Sequence, residues 1–357
     1  MKSFTAALLF ANAMAFEAEK IDIYTEKQLV NGTFVPLDVT VDGETRTFYI
    51  ATDSELTPGG ATAKMTANGR GYLHEEPTLD KSNPKFWTPN LKDASVEWDV
   101  DLSNHECGCI AAFYLVSMPG KDQNGNYWMD TDGYGYCDAN QVAGNWCPEM
   151  DLMEADKYSW ASTPHTCDAP SDKGFYWHCD QGGTCQQNIV DALAWNGYGP
   201  GDQYTINTNK PFHAKIDMHS GSFSTTLTQE DRTQVMTCNN GYMNQMAQDL
   251  ENGMGFVISN WGGDATWLWK DRCSGTCNWP ELSISNITIT SGVSPGPGPS
   301  PSPIDPNDYD YGDACGGIVD YCSEMGCSDV SHCRWSWAKD DPQKWSGDTA
   351  ACRCDYI

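Results

Sequence analysis

The chain of 357 residues carries a formal net charge of −28 and contains 16 cysteines. A surface this acidic repels phosphate backbones and anionic lipids, so we exclude nucleic acids and membranes as partners and disfavour acidic substrates. A neutral substrate carries no such electrostatic penalty.

The N-terminal residues show the pattern of an export signal. In "MKSFTAALLFANAMAFEAEK", Lys2 precedes an apolar stretch that begins at Phe4, and the A-x-A cleavage pattern follows at residues 13–15. We therefore expect a signal peptide at residues 1–15 and a secreted, extracellular protein. In an oxidising compartment the even number of cysteines indicates disulfides. Glycosylation sequons begin at Asn31 and Asn286, which suits a glycoprotein.

Strand patterns dominate the chain as far as residue 293. "VPLDVTVDGETRTFYI" contains two alternating runs around Asp42-Gly43, which predicts a hairpin, and "HAKIDMHSGSFSTTLTQ" predicts another around Ser220-Gly221. "ASVEWDVDL" alternates apolar with acidic residues, as a half-buried strand does. "CIAAFYLVSM" and "GMGFVIS" are nearly continuous apolar runs, typical of strands covered on both faces. We predict an all-β fold, a curved antiparallel β-sandwich (jelly roll) with long loops.

A Pro/Gly/Ser linker at residues 294–304 separates this sandwich domain, residues 16–293, from a Cys-rich module at residues 305–357. The sequence "SPGPGPSPSPI" favours an extended, semi-rigid spacer. Ten cysteines precede the linker and six follow it, so each part can close its own bridges.

The stretch "EMDLMEAD" crowds three carboxylates into six residues. On a strand, Glu149 and Asp151 share one face, while Met150 and Leu152 point the other way, into the sandwich. Glu154 has the wrong parity to join them. Only a β-bulge near residues 152–153 brings it to the same face, and such bulges are common beside active sites. The spacing is therefore explained if all these acids line one cleft.

Paired carboxylates suit a specific chemistry, because two of them about 5–5.5 Å apart perform retaining glycoside hydrolysis without a metal or organic cofactor. Mutual repulsion and burial keep one of them protonated near neutral pH. The alternative is chance, since acidic triplets arise easily in this chain. "DYDYGD" at residues 308–313 has the same spacing, and we interpret it as part of a solvated spacer. The cluster in "EMDLMEAD" differs from it because apolar residues stand between the acids and cysteines flank the stretch.

"EMDLMEAD" followed by "TPHTC" resembles the signature of glycoside hydrolase family 7, cellulases with a β-jelly-roll fold. Further matching segments occur in the family's order over roughly residues 96–290: "CGCIAAFYLVSM", "GYCDAN", "GGTC", "WNGYGPGDQYTINTNKPF", "GMGFVISNW", "WLWKD" and "SNITI". The resemblance implies a retaining β-1,4-glucanase that acts on cellulose or a related β-glucan. We expect it to work as a monomer and without a cofactor.

The resemblance also implies roles for single residues. Glu149 corresponds to the nucleophile, Asp151 to its hydrogen-bonding orienter and Glu154 to the general acid/base, with His165 placed near the acid/base. The substrate-binding positions of the family match Trp261 and Trp269, as platforms for glucose rings, and Tyr114 and Asp138, in the lining of the cleft. A structural loop histidine remains the alternative for His165, and plain core packing remains the alternative for Trp269.

Three positions depart from the family pattern: Met153 replaces a tryptophan, Asp180 an arginine and Ile110 an asparagine. These changes weaken contacts on the product side of the cleft and leave the carboxylates intact. The front part is also short for the family, and the missing lengths correspond to loops that roof the tunnel of exo-acting members. We therefore expect an open cleft and internal chain cutting.

Other functions stay open. A cellobiohydrolase is one, and a β-1,3-glucanase of the related sandwich family is another, although "TPHTC" and "WNGYGPG" argue against the latter. From a different class, the departures at Met153, Asp180 and Ile110 suit an inactive carbohydrate-binding protein that kept the fold.

The module at residues 305–357 holds six cysteines and is too small to fold without bridges. Trp335, Trp337 and Trp345 either form its small core or, if exposed in a row, bind cellulose, and we favour binding. Zinc held by the cysteines and His332 is disfavoured in an exported protein. "DTDGYG" at residues 130–135 resembles the start of a calcium loop but lacks the later acidic ligand, so we expect no metal.

Overall fold

The computed structural model describes the residues in the following ranges: 33–52, 56–66, 68–78, 84–128, 135–189, 196–219, 221–263, 265–269, 272–292, 333–336 and 351–354. The chain divides into two compact units, Met1–Ser294 and Pro295–Ile357. The predicted signal, the linker, His332, Trp337 and Trp345 lie outside the described residues, as do residues 130–134 of the predicted calcium loop.

The first unit is built almost entirely of strands. Its strands are β1 Thr33–Val41, β2 Glu44–Thr52, β3 Leu56–Gly59, β4 Thr62–Met65, β5 Gly69–His74, β6 Ser95–Asp101, β7 Cys109–Val116, β8 Glu149–Ala155, β9 Trp160–His165, β10 Gln187–Asn188, β11 Tyr198–Gly199, β12 Ile206–Asn207, β13 Phe212–His219, β14 Ser222–Gln229, β15 Arg232–Cys238, β16 Gly255–Gly262 and β17 Leu282–Thr290. A 3₁₀-helix spans Tyr242–Gln245, and two short helices are α1 Ala247–Asn252 and α2 Thr266–Trp269. In the second unit, β18 Cys333–Ser336 pairs with β19 Ala351–Cys354.

One large sheet contains the strands in the order β10-β9-β8-β7-β16-β5-β2-β1-β17-β6-β13-β14-β15, with β3 and β4 attached beside β17. Within the described residues its pairings are antiparallel, except that β1 and β17 run parallel. The sheet folds over a shared core: the ring of Trp160 on β9 packs against Phe212 on β13, near the other end of the strand order. The predicted all-β sandwich is confirmed.

The turn signals in the sequence fix the register of both predicted hairpins. Val41 pairs with Glu44, and both turn residues have positive φ, 51° at Asp42 and 83° at Gly43. These values match the type I′ turn, whose twist suits flanking strands. The second hairpin pairs His219 with Ser222. Both hairpin predictions are confirmed.

Strand β7 forms the centre of the site-bearing layer and is buried along its whole length. Its residues contribute alternately to two apolar clusters, one on each face of the sheet. Phe113 packs in the main core, edge-on to Trp98 at 5.1 Å between ring centroids. Tyr114 belongs to a second cluster on the opposite face, with Tyr72. Burying an aromatic side chain of this size contributes about 1.5–3 kcal/mol, which explains the continuous apolar run.

Five disulfides join the ten cysteines of the first unit, which confirms the prediction of disulfides: Cys107–Cys273, Cys109–Cys277, Cys137–Cys147, Cys167–Cys179 and Cys185–Cys238. Two of them close short loops, Cys137–Cys147 before β8 and Cys167–Cys179 after β9. Cross-links of this kind restrict the chain on both sides of the carboxylate strand.

Candidate active site

Strand β8 contains the predicted bulge, and the bulge brings the three acids to one cavity. Against β9, Asp151 pairs with Thr163 and Glu154 pairs with Ala161, so residues 152–153 face the single residue Ser162. Both residues of the bulge point into the main core. The alternation then resumes with Glu154 on the same face as Glu149 and Asp151.

The cavity beside β8 has a volume of about 720 Å³, within the usual range of about 300–1,000 Å³ for small-molecule sites. Its lining includes Glu149, Asp151, Glu154, Asp138 and His165. Glu149 and Asp151 are buried, whereas Glu154 keeps partial exposure to solvent. The site therefore combines buried carboxylates with an accessible one.

Burial and like charge shift all three carboxyl groups in the same direction. The pKa of Glu149 lies well above its ordinary value because of burial, with Asp151 and Asp138 adding repulsion. Burial and Asp138 likewise raise the pKa of Asp151, and burial and Asp151 raise that of Glu154. The cluster therefore retains protons at a pH where isolated carboxyl groups are fully ionised.

Two interactions favour the ionised form of Glu149. The backbone amide of Ala139 donates a hydrogen bond to Glu149 Oε2 at 3.1 Å, and His165 lowers the pKa of Glu149. Ala139 sits in a turn organised by Asp138, whose Oδ1 accepts hydrogen bonds from the amides of Asn140 and Val142. The loop closed by Cys137–Cys147 thus holds an amide donor against this acid.

His165 contacts the middle acid, Asp151, and it also acts electrostatically on Glu154, the predicted acid/base. Its Nε2 lies 3.1 Å from Asp151 Oδ2, and its Nδ1 lies 2.7 Å from the carbonyl oxygen of Asp180. A carbonyl only accepts hydrogen bonds, so Nδ1 carries a proton. A proton must then also lie between Nε2 and Asp151, supplied by either group. The imidazole is fixed at both nitrogens and holds Asp151 in place.

The other predicted substrate-binding residues divide between the cavity and the core. Tyr114, Asp138 and Trp261 line the cavity. Trp269 is instead 6% exposed and packs with Ile110 and Leu268 in a small apolar cluster, as the core-packing alternative expects. Trp267, two residues earlier on α2, lines the cavity instead. The sequence pattern did not single out Trp267, because the side of a one-turn helix that faces the cavity depends on how the helix docks.

Sequence reasoning also missed an aromatic and basic group beside Tyr114. The Tyr114 hydroxyl lies 3.1 Å from that of Tyr136 and accepts a hydrogen bond from Arg70 Nε at 3.3 Å, and the Arg70 guanidinium lies 4.3 Å from the Tyr136 ring centroid. All three side chains line the cavity. The only sequence signal was the lone arginine between glycines in "GRGYLH".

The three departures from the family pattern have ordinary structural roles. Met153 is one of the bulge residues in the core, and Ile110 is buried against Trp269. Asp180 accepts hydrogen bonds from the hydroxyls of Tyr242 and Thr184. None of these contacts displaces a carboxylate.

In the part of the chain that the structure describes, the one grouping of potential metal ligands is Cys107, Asp156 and Cys273. Its two sulfur atoms form a disulfide, so they are not thiolate ligands. The same described ranges contain no helix with the length and apolar character needed to cross a bilayer.

The fold and the site together define a jelly-roll protein with a carboxylate-lined cleft. Endoglucanase EG-1 of Trichoderma longibrachiatum is 28% identical to this chain over 282 residues, which cover 66% of the chain and 58% of the relative. Endoglucanase 1 of Humicola insolens is 30% identical over 161 residues, 38% of the chain and 39% of the relative. The chain thus spans 58% of the length of the first relative. No family model matches the sequence.

Solved structures give the same fold. A structure of endoglucanase I complexed with cellobiose aligns with a TM-score of 0.58 at 18% identity and covers 73% of this chain and 97% of that one. A family 7 cellobiohydrolase from Daphnia pulex aligns with a TM-score of 0.55 at 17% identity, with the same coverage. The predicted resemblance to glycoside hydrolase family 7 is confirmed.

Proposed function

We propose that this protein hydrolyses β-1,4-glucosidic bonds of cellulose or a related β-glucan, with retention of anomeric configuration. The observation that carries the proposal is the β8 bulge, because it brings Glu154 to the face occupied by Glu149 and Asp151. The named endoglucanase relatives support the same reaction. The net charge of −28 suits a neutral polymer.

In the proposed mechanism, Glu149 attacks the anomeric carbon and Glu154 protonates the departing glycosidic oxygen. Water, deprotonated by Glu154, then releases the sugar from Glu149. The assignment follows from the environments of the two acids. Burial, Asp151 and His165 act on both acids in the same directions. Of the two acids, only Glu149 accepts a hydrogen bond from a backbone amide among the described residues, that of Ala139, which favours the anion needed for attack and leaves Glu154 as the acid that keeps its proton. Asp151, held by His165, orients the nucleophile.

Tyr114, Asp138, Trp261 and Trp267 are proposed to contact the sugar chain, the tryptophans by stacking on glucose rings. We further propose that the cleft is open and that cutting is internal, because the resemblance implies that the stretches missing from the front part of the chain are the loops that roof the tunnel of exo-acting members. The proposed product is then a mixture of oligosaccharides rather than cellobiose alone.

We also propose that the protein is secreted and that the Cys-rich module anchors it to cellulose through Trp335, Trp337 and Trp345. The five disulfides of the first unit support an oxidising destination. The second unit, Pro295–Ile357, supports a separable module.

The experiment that tests the catalytic proposal compares carboxymethylcellulose, cellulose and laminarin as substrates. We expect reducing ends from the first two, and cutting of laminarin alone would refute the assignment. Glu154→Gln should lose about 10²–10⁴-fold in rate, the usual contribution of general acid–base catalysis. Glu149→Gln should abolish the burst of phenol from an aryl cellobioside. Glu97→Gln, on the outer face of β6, is the matched control and should retain full activity.

A further inference from the structure

A buried hydrogen-bond network lies directly behind the bulge that delivers Glu154. Its centre is the hydroxyl of Ser162, which donates to the carbonyl oxygen of Leu152 at 2.8 Å. The same hydroxyl oxygen accepts from Trp160 Nε1 at 3.0 Å and from Thr225 Oγ1 at 2.9 Å. The side chains of this network are fully buried.

The network connects the site to the opposite layer of the sandwich. Ser162 lies on β9 and is the residue that faces the bulge, between the pairs Asp151–Thr163 and Glu154–Ala161. Thr225 lies on β14, near the other end of the strand order. A bulge interrupts the regular ladder of backbone hydrogen bonds. Here a side-chain hydroxyl, held from the facing layer, satisfies a carbonyl group of the bulge itself.

We propose that Ser162 is a positioning residue for the general acid: its hydroxyl fixes the bulge at Leu152 and thereby sets where Glu154 meets the glycosidic oxygen. This inference rests on the proposed function. Glu149 and Asp151 precede the bulge and are held by other contacts, the Ala139 amide and the His165 imidazole. Loss of the Ser162 hydroxyl therefore displaces the acid/base selectively and leaves the nucleophile in place.

Selective displacement of a general acid has a kinetic signature. A leaving group that departs readily as an anion, such as 2,4-dinitrophenolate, needs no proton, whereas phenolate departs slowly without one. Ser162→Ala should therefore lower kcat/KM for phenyl cellobioside by about 10²-fold, as expected for a misplacement of about 1 Å. The kcat/KM for dinitrophenyl cellobioside, which reports attack by Glu149, should stay nearly unchanged.

Thr225→Val provides the matched control, because it removes one donor from the same buried network and keeps the Ser162–Leu152 bond. Thr225→Val should lower the melting temperature but should not change kcat/KM more on one cellobioside than on the other. Glu154→Gln supplies the reference for complete loss of the acid and should show the same separation as Ser162→Ala, only larger.

Equal losses on both substrates in Ser162→Ala would overturn the positioning role, as would an unchanged rate on phenyl cellobioside. If the alanine variant does not fold, Ser162→Cys takes its place, since a thiol of similar size is only a weak donor. Ser162→Cys must also lose more kcat/KM on phenyl cellobioside than on dinitrophenyl cellobioside. A wild-type protein that is inactive on both cellobiosides would overturn the proposed function together with the positioning role. An active wild-type protein whose Ser162→Ala variant loses activity equally on both substrates would overturn the positioning role alone.

Discussion

Replacing His165 by alanine tests the charge arrangement of the site most directly. The imidazole is 5% exposed and spans two partners, Asp151 Oδ2 at 3.1 Å and the Asp180 carbonyl oxygen at 2.7 Å. Alanine reaches neither of them. The variant leaves a buried carboxyl group without its partner and a carbonyl group without its donor.

The stability cost follows from this geometry. Each of the two partners is left without its hydrogen-bonding group, and a buried polar group left unsatisfied costs about 1–3 kcal/mol. For a unit of this size, each kcal/mol lowers the melting temperature by about 2–4 °C. We therefore expect a fall of roughly 10 °C in a calorimetric scan near neutral pH. His219→Ala, at the exposed end of β13, should change it little.

The activity of His165→Ala should shift along the pH axis in a fixed direction. Burial and Asp151 raise the pKa of Glu149, and burial and Asp151 raise that of Glu154, while His165 lowers both. Without His165 both values rise further. The nucleophile then needs a higher pH to ionise, and the acid stays protonated to a higher pH, so the whole bell-shaped profile of kcat/KM moves towards alkaline pH. A melting temperature within 2 °C of wild type, or a profile displaced towards acid pH, would refute this account of the site.

Three further outcomes are expected. Glu149→Gln should raise the melting temperature at pH 7 but not at pH 4. Because the pKa of Glu149 is raised in the folded state, its contribution to stability is present at low pH and is lost as the pH rises, by about 1.4 kcal/mol per pKa unit. An equal effect at both pH values would contradict this direction. Trp267→Ala should raise KM on soluble glucan with little change in stability, whereas Trp269→Ala should cost about 3–5 kcal/mol of folding free energy, and the reverse pattern would show that the facing of α2 is wrong. Full-length protein should be retained on microcrystalline cellulose more strongly than a chain ending at residue 293, and equal retention would remove the anchoring role.

The candidate site could be predicted in outline because its local signals are strong. Side-chain parity in "EMDLMEAD" required a bulge if Glu154 was to join Glu149 and Asp151, and the structure contains that bulge. The hairpin at Asp42-Gly43 was equally local, since few residues other than Asn, Asp and Gly accept positive φ at both turn positions. Alternation in β6 and the continuous apolar run of β7 indicated correctly which strands are covered on one face and which on two.

What the sequence determined by itself is therefore the all-β architecture, the disulfide-forming character of the first unit and the carboxylate face of β8, because each depends on neighbours a few residues apart. Only the tertiary structure decided the rest. Trp267 rather than Trp269 reaches the cavity because of how α2 docks. The partner of His165 and the contact of Ser162 with Thr225 join residues 14 and 63 positions apart (165 − 151 and 225 − 162). The first contact depends on the register of the neighbouring strands β8 and β9, and the second arises because the sheet folds back on itself, so the spacing of residues along one strand carries no information about either.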